Sequence, residues 1–177
     1  EQALADVLKA GDADEWPAMI DQVSVNPGFE AALGAALGED LSASNAEAAP
    51  VRWRTLIPFS QPAALPHGIN PLSQYVAAPK ALTRCLSQIG IVDDEVSGSR
   101  LAEDLKQGQS LVSRDGAMWR WDGFTIAAGA QTAAAARLQQ RNRLKTIRDS
   151  LADARADVAA AEAAVTKARE TAEQAAS

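Results

Sequence analysis

Apolar residues recur with a seven-residue period along the C-terminal part of the chain. The offsets between successive apolar positions alternate between three and four residues, which is the a/d spacing of a coiled coil. One position is occupied by Leu144, Leu151, Val158, Val165 and Ala172, and the other by Ile147, Ala154, Ala161, Ala168 and Ala175. Because Thr132 to Ala175 contains neither proline nor glycine, the pattern predicts one long helix. Its coiled-coil arm, from Leu144 onward, is roughly 45–50 Å long.

The width of the apolar stripe separates two interpretations of this helix. A helix packed in a bundle has a broad apolar face, whereas charged residues flank the heptad positions here and leave a narrow stripe. A coiled coil is therefore favoured, and a bundle helix stays the alternative. A seam of this length needs a partner in the same chain or in another. Glu1 to Ala10, which predicts the end of an incoming helix stopped by Gly11, is one candidate.

Alternating patterns in the middle of the chain predict strands. Leu111–Arg114 and Met118–Trp121 flank Asp115-Gly116, and an Asp-Gly pair between two such runs is a strong signal for a β-hairpin. A short strand is predicted to follow at Phe124–Ile126, after a second turn. Upstream, a helix is predicted from Phe29 to Leu37. Gly34, in the middle of that helix, costs about 1 kcal/mol relative to alanine and so predicts a close backbone contact.

The other predicted elements are short. They are strands at Val23–Val25 and Val51–Leu56, the second a half-buried or edge strand, and helices at Leu72–Val76, Ala81–Ile89 (stopped by Gly90) and Gly98–Lys106. Four prolines from Pro58 to Pro71 mark an irregular connection between two lobes. We therefore expect an α+β fold, a small two-lobed mixed αβ domain with a long C-terminal coiled-coil helix. In this division residues 1–13 end an incoming helix, 14–60 form lobe one, 61–130 form lobe two, and 131–177 form the outgoing helix and arm.

Composition excludes several classes of protein. The chain has 177 residues and a net charge of −6, so attraction of the whole molecule to nucleic acid or to an anionic membrane is not expected. One cysteine, Cys85, rules out an intrachain disulfide framework. No apolar run approaches the ~20 residues of a membrane span, and the first residues do not form a signal peptide. The absence of an initiator methionine suggests a piece of a longer protein, and the cytoplasm is the expected compartment.

Candidate chemistry is sparse. The chain has no phosphate-binding glycine motif, and one histidine with one cysteine cannot form a Cys/His metal cluster. His67 lies in the proline-rich connection, where a surface role is favoured over catalysis, and Cys85 is expected in the core. Asp93, Asp94 and Glu95 are expected to form a solvated turn rather than a metal site. Trp119 and Trp121 are expected on one strand face as core or lobe anchors, with base stacking as the alternative. We therefore predict no catalytic residue and no metal ligand.

Basic charge is concentrated where the long helix begins. Between Phe124 and Arg148 the sequence contains no acidic residue and five basic ones, which are Arg137, Arg141, Arg143, Lys145 and Arg148. Four of them are spaced by four, four and three residues, so they share one helix face. Such a face can hold phosphates in a salt-dependent way. It can equally be a solvated face paired with acidic residues of the same chain, and charge alone does not separate these readings.

Three stretches, in this order and followed by the arm, resemble the hinge domain of bacterial SMC (structural maintenance of chromosomes) proteins. Phe29–Gly38 is similar to the helix of the family's first lobe, and Leu111–Gly116 to the hairpin of its second. Gly129–Ala134 takes the place of the glycine-rich segment before the outgoing helix. Two departures stand out. Ala133 and Ala134 replace paired glycines, and Leu41–Ser44 represents the strand after the first helix only weakly.

The resemblance implies a homodimerisation module. In the family, lobe one of one copy pairs with lobe two of the other, and coiled-coil arms leave the resulting ring. The implied interface residues are Gly129, Thr132, Ala133, Ala134, Leu111 and Val112. The implied contacts to DNA, without sequence preference, are Arg137, Arg141, Arg143 and Lys145.

The resemblance also implies where other functions belong. The family's ATP and Mg²⁺ sites lie in head domains whose motifs this chain lacks, so no cofactor is expected here, nor contact with head-associated subunits or a membrane. The implied process is chromosome condensation and segregation at the nucleoid. Two alternatives stay open at this point: a coiled-coil scaffold that binds protein without binding DNA, and a small enzyme with a helical appendage.

Overall fold

A computed structural model describes residues 16–130 and 132–176, with side chains as far as 165 and at 167 and 168. The chain divides into two compact units, one ending at Gln139 and the other beginning at Gln140. The first unit contains both sheets and all of the short helices. The predicted incoming helix, residues 1–13, lies outside the described residues.

The first unit is built on a five-stranded sheet with the strand order β2-β4-β5-β6-β7. Its strands are β2 (Asn70–Pro71), β4 (Ile89–Val92), β5 (Ser110–Ser113), β6 (Met118–Arg120) and β7 (Thr125–Ile126). A second sheet pairs β1 (Ser24–Val25) with β3 (Val76–Ala77). In the larger sheet β4 and β5 are parallel and the other pairs are antiparallel. Parallel neighbours need a crossover connection, and helix α3 (Glu95–Ala102) supplies it.

The hairpin predicted around Asp115-Gly116 is confirmed. β5 and β6 pair antiparallel, with Leu111 opposite Trp119 and Val112 opposite Met118. Gly116 has a φ of 83°, a conformation that side chains of L-residues disfavour and glycine adopts freely. Inside the turn, the Ser113 hydroxyl accepts a hydrogen bond of 3.0 Å from the backbone N–H of Ala117. The short strand predicted next is also present, as β7.

The helix predicted from Phe29 is confirmed as α1 (Glu30–Leu37). Its central glycine makes the close contact expected of it, because a Cβ on Gly34 would lie 2.6 Å from the backbone nitrogen of Ala135. A side chain at this position would therefore displace the start of the C-terminal helix, α4 (Ala133–Ala176). The long helix predicted from the heptad pattern is likewise confirmed.

One predicted strand is absent. Val51–Leu56 is not a strand, because only Arg52 forms a bridge, to Ser44, and the backbone then continues without ladder partners. Its strand-favouring residues therefore lack a neighbouring strand. Leu41–Ser44, the weak counterpart of the family's strand, is largely 3₁₀-helical, within Gly38–Ser42.

The helices predicted after the connector were placed too broadly. Leu72–Val76 is a 3₁₀ turn, Leu72–Gln74, followed by β3. Ala81–Ile89 ends early: a 3₁₀ turn, Lys80–Leu82, leads into α2 (Thr83–Leu86). The third predicted helix is α3.

The boundary errors around β4 and α3 have local physical causes. Gly90 is not a helix stop but a strand residue, in β4, where a Cβ would collide with the side chains of Ile69 and Leu111. Helix α3 begins three residues before Gly98 because the Asp94 carboxylate caps it, accepting a 2.7 Å hydrogen bond from the Ser97 N–H.

Two hydrophobic clusters form the interior of the first unit. The larger has buried members from α1, from the 3₁₀ turns, from β4 to β6, and from Ala134 and Leu138 at the start of α4. The smaller consists of Val92, Leu111, Ala117 and Trp119. Residues of both predicted lobes contribute, and β1 of lobe one pairs with β3 of lobe two. The division between residues 60 and 61 stays a prediction.

The second unit consists of the remainder of α4. Its heptad positions Leu144, Ile147, Leu151, Val158 and Val165 are each about half exposed. Among the described helices, none has the length and apolarity that crossing a membrane requires.

Candidate dimerisation surface and basic helix

The segment that leads into α4 is held by backbone hydrogen bonds. Gly129, with a φ of 73°, donates its N–H to the Asp115 carbonyl at 2.8 Å, which ties the segment to the hairpin turn. The Thr132 hydroxyl accepts from the Ala135 N–H at 3.1 Å and caps the helix. Gly129 and Ala133 are exposed, Thr132 is half-buried, and Ala134 is buried in the core.

A groove of about 830 Å³ runs along this segment. Small residues dominate the lining, among them Gly28, Ala31, Gly129, Ala130, Thr132 and Ala136. Short side chains let another backbone approach closely. The structure thus gathers two of the predicted interface residues, Gly129 and Thr132, around one concave surface.

Leu111 and Val112 do not belong to a surface. Both are completely buried, and their strand, β5, is paired with β4 on one side and β6 on the other. Neither residue has exposed area or an open ladder edge with which to contact a second copy. We therefore correct the expectation from the resemblance and assign both residues to the core.

The large sheet has one open edge two strands away, at β7, and another at β2, its opposite end. No described strand pairs with the outer side of β7. Phe124, next to β7, and Trp121, in the preceding turn, are about half exposed. Trp119, by contrast, is buried in β6, where its ring fills the space above Gly98. The expectation that Trp119 and Trp121 share one strand face was wrong, because Trp121 lies beyond the end of β6.

Residues 54–60 form a second exposed apolar surface, which the sequence pattern did not predict. We call it the extended segment. Ile57 is 84% exposed, Phe59 52% and Leu56 46%. None of its residues exchanges a backbone hydrogen bond with any other described residue. The available signal was an apolar run broken by Pro58, since proline removes a ladder donor and is found at strand edges.

Three side chains nevertheless fix the extended segment and its flanks. Before it, the Trp53 indole donates to the Asp40 carbonyl at 2.8 Å. Within it, Arg84 Nε donates to the Ile57 carbonyl at 2.6 Å. After it, the fully buried Gln109 side chain donates to the carbonyls of Ala63 and Ala64, at 3.2 and 3.1 Å. An exposed segment with few contacts to the core is therefore held in one place.

The predicted DNA-contacting residues divide between the two units. Arg137, in the first, forms an ion pair with Asp21, with 3.5 Å between Nη2 and Oδ2 and both side chains about half exposed. In the second, Arg143 and Lys145 are exposed and Arg141 is half-exposed. Arg137 thus matches the alternative in which an acidic residue of the same chain neutralises the basic charge.

The residues considered for chemistry do not form a reactive site. Burial, with a smaller contribution from the Asp40 carboxylate, raises the pKa of Cys85 to about 11, so the thiol stays neutral near pH 7 and packs against the core as expected. The Asp94 carboxylate of the acidic turn caps a helix, and the hydrogen bond that it accepts from the Ser97 N–H lowers the pKa of Asp94. His67 is exposed beside a groove of about 800 Å³. Among residues 16–130 and 132–176, no cluster of three His, Cys, Asp or Glu side chains is arranged to hold a metal ion.

Comparison with known proteins identifies relatives of this chain. No family model matches the chain. The chain is 44% identical over 159 residues to the chromosome partition protein Smc of Rhodopseudomonas palustris, covering 90% of the chain and 14% of that protein. It is 47% identical over 135 residues to the protein of the same name from Cereibacter sphaeroides, covering 75% of the chain and 12% of that protein. The chain therefore spans about one seventh of the length of these relatives or less.

A solved structure agrees with these relatives. The SMC hinge domain of Geobacillus stearothermophilus, crystallised as an asymmetric dimer, superposes with a TM-score of 0.59 over 86% of this chain and 74% of its own, at 18% identity. That likeness establishes the fold, and the two sequence relatives supply the family. The chain belongs to the bacterial SMC family, of which it forms the hinge domain.

Proposed function

We propose that this hinge domain joins two copies of an SMC chromosome partition protein into a homodimer. The observation that carries the proposal is the set of exposed apolar side chains on two extended edges of the first unit, Ile57 and Phe59 on the extended segment and Trp121 and Phe124 beside β7. An exposed edge next to apolar side chains invites pairing with another chain unless it is covered. In the proposed dimer, the extended segment of one copy lies against β7 of its partner.

The two edges suit each other in symmetry. Charge does not select the pairing, because Asp122, the acidic residue beside β7, is already paired with Arg120 at 2.6 Å. Because each copy has one edge of each kind, a two-fold axis forms the same junction twice and leaves neither edge open. The groove beside Gly129 provides a further surface on which a second backbone can approach closely.

The same chain is proposed to contact DNA through basic residues of α4. Arg143 and Lys145, which are exposed, are the main candidates, together with the half-exposed Arg141. Arg137 forms an ion pair with Asp21. Contacts of this kind neutralise phosphates without reading bases, so log K should fall with log salt by about 0.9 for each phosphate engaged. ATP hydrolysis and chromosome partition would be properties of the longer protein in the nucleoid, with the hinge as its dimer joint.

The experiment that tests dimerisation is sedimentation velocity of the full chain at micromolar concentration. The proposal predicts a dimer mass. A monomer at these concentrations, with folding verified by circular dichroism, would reject it. For the DNA contact, a variant with Arg141, Arg143 and Lys145 changed to Glu should lose salt-sensitive binding to a short duplex. Unaltered binding would show that these residues are not the contact.

A coiled-coil scaffold is the second candidate, and the exposed heptad positions of the arm favour it. In that case the arm, rather than the sheet edges, would hold two copies together. Removing residues 149–177 separates the two accounts. A hinge dimer persists without these residues, whereas an arm dimer dissociates.

A further inference from the structure

Arg84 makes two contacts with the extended segment from the outer side of α2. Its Nε donates to the Ile57 carbonyl at 2.6 Å, and its guanidinium carbon lies 4.1 Å from the centroid of the Phe59 ring. The contacts fall on either side of Pro58. A hydrogen bond from a cation is stronger than one between neutral groups, and a guanidinium over an aromatic face adds an attraction of its own. Arg84 therefore acts on both backbone and side chain of this segment.

These contacts matter because the segment lacks the hydrogen bonds that normally keep a strand extended. Trp53 and Gln109 anchor its flanks, at the Asp40 carbonyl and at the carbonyls of Ala63 and Ala64. Between those anchors, Arg84 is the side chain that contacts residues 54–60 in the hydrogen bonds and ring contacts of the described chain. A segment held in its bound conformation loses less conformational entropy when its partner docks.

We propose that Arg84 is a positioning residue for dimerisation, which presets the extended segment to receive the partner's sheet edge. This inference rests on the proposed dimer. Arg84 already occupies the Ile57 carbonyl, and Pro58 has no N–H. We call this pair of Arg84 contacts the Arg84 clip. The middle of the segment therefore has few backbone groups left to form hydrogen bonds with another strand. The partner's hydrogen bonds then go to the backbone of residues 54–56, while the side chains of Ile57 and Phe59 pack against it.

A role in core stability is not expected of the Arg84 head group. The core contacts of this part of the chain come from Ala81, Leu82 and Leu86, which are buried. Arg84 is partly exposed, and both of its contacts are to the surface segment. Its removal should therefore free residues 54–60 without unfolding the unit.

The test compares Arg84→Ala with Arg100→Ala in the full chain. Arg100 is an exposed arginine on α3, so its removal subtracts the same charge without touching the segment. Sedimentation measures the dimer dissociation constant, and hydrogen exchange followed by mass spectrometry measures protection of residues 54–60.

We expect Arg84→Ala to weaken the dimer about tenfold, the scale of one hydrogen bond to a charged group. It should also raise hydrogen exchange in residues 54–60 and leave the melting temperature of the monomer unchanged. Arg100→Ala should change neither quantity.

Arg84→Lys is a second variant, which keeps the inference testable if Arg84→Ala folds poorly. An ammonium can reach either the carbonyl or the ring but lacks the planar fork that serves both, so its dimer constant should lie between those of wild type and Arg84→Ala. An Arg84→Ala dimer as tight as wild type overturns the inference and leaves dimerisation intact, as does equal weakening by Arg100→Ala. A monomeric wild type overturns the proposed function and this inference together.

Discussion

The β5–β6 hairpin and the extended segment have similar composition but opposite environments. Both are extended and rich in apolar residues. Leu111 and Val112 in β5 have strands on both sides and no exposed area, whereas Ile57 has no ladder partner and is 84% exposed. The difference shows that apolar character alone does not separate core from exposed surface. What separates them is whether the chain supplies its own neighbours, which it does for β5 and does not do for residues 54–60. In the proposed dimer, a second copy supplies the neighbours of residues 54–60.

The strongest way to break this comparison is a substitution in the hairpin. Leu111→Ala should destabilise the first unit by about 2–5 kcal/mol, because it leaves a cavity at a fully buried position. Urea unfolding followed by circular dichroism measures the loss. If the dimer dissociation constant rises while unfolding is unaffected, Leu111 belongs to the interface after all and our correction is wrong.

A substitution in the extended segment should instead weaken the dimer without changing the stability of the monomer. Ile57→Asp should weaken the dimer by about 2 kcal/mol, roughly thirtyfold, the scale of a residue central to an interface, and leave the unfolding of the monomer unchanged. Val96→Asp is the control, because Val96 lies on α3, outside the extended segment, and at 80% is about as exposed as Ile57. Sedimentation equilibrium gives both constants. If Ile57→Asp and Val96→Asp weaken the dimer equally, then any charge added at an exposed apolar position impairs association, and the extended segment has no special role.

A smaller effect is expected at the basic helix, where Asp21 competes with DNA for Arg137 in the proposed DNA contact. Asp21→Asn should tighten binding of a short duplex about two- to fivefold, as expected from release of one surface ion pair. Arg137→Gln should change little in the wild-type chain but should abolish the gain in Asp21→Asn. Fluorescence anisotropy measures all four chains of this cycle, with Glu47→Gln as an exposed acidic control. Additive effects would show that Asp21 does not mask Arg137.

The smallest expected effect concerns the crossover helix that places β4 beside β5. Asp94 has a lowered pKa because the Ser97 N–H donates to it. Its carboxylate therefore stabilises the fold above the unfolded pKa of about 4, and that contribution is lost as pH falls through the lower folded value. Asn caps a helix without titrating. Melting temperatures of Asp94→Asn and wild type should thus converge, or cross, as pH falls below 4. A difference that is constant from pH 6 to 2 would contradict the cap.

The sequence predicted elements that depend on neighbouring residues more successfully than those that depend on distant ones. The heptad repeat, the Asp-Gly turn and the apolar face of α1 are local signals, and each gave the correct element. Gly34 was also informative, because a helix tolerates glycine at a cost that a close contact with Ala135 explains. These features set the fold class before any tertiary information.

Distant contacts account for what was missed. Gly90 appeared to stop a helix because its packing against Ile69 and Leu111 is not visible in the sequence. Leu111 and Val112 were placed at the interface by the family resemblance, whereas their burial depends on the pairing of β5 with β4 and β6. Trp121 and the extended segment were misjudged for a related reason, since neither exposure nor a missing ladder can be obtained from composition. The Arg84 clip spans 27 residues in sequence, beyond any local pattern.

Cross-linking between two differently labelled chains tests the central claim most directly. One chain carries Ile57→Cys and the other Thr125→Cys, each with Cys85→Ser so that a single thiol is present. A short bis-maleimide is added to each chain alone and to their equimolar mixture. The account predicts a covalent heterodimer in the mixture and little product from either chain alone, because position 57 of one copy faces position 125 of its partner. Equal product from the single chains, or none from a mixture that sediments as a dimer, would contradict it.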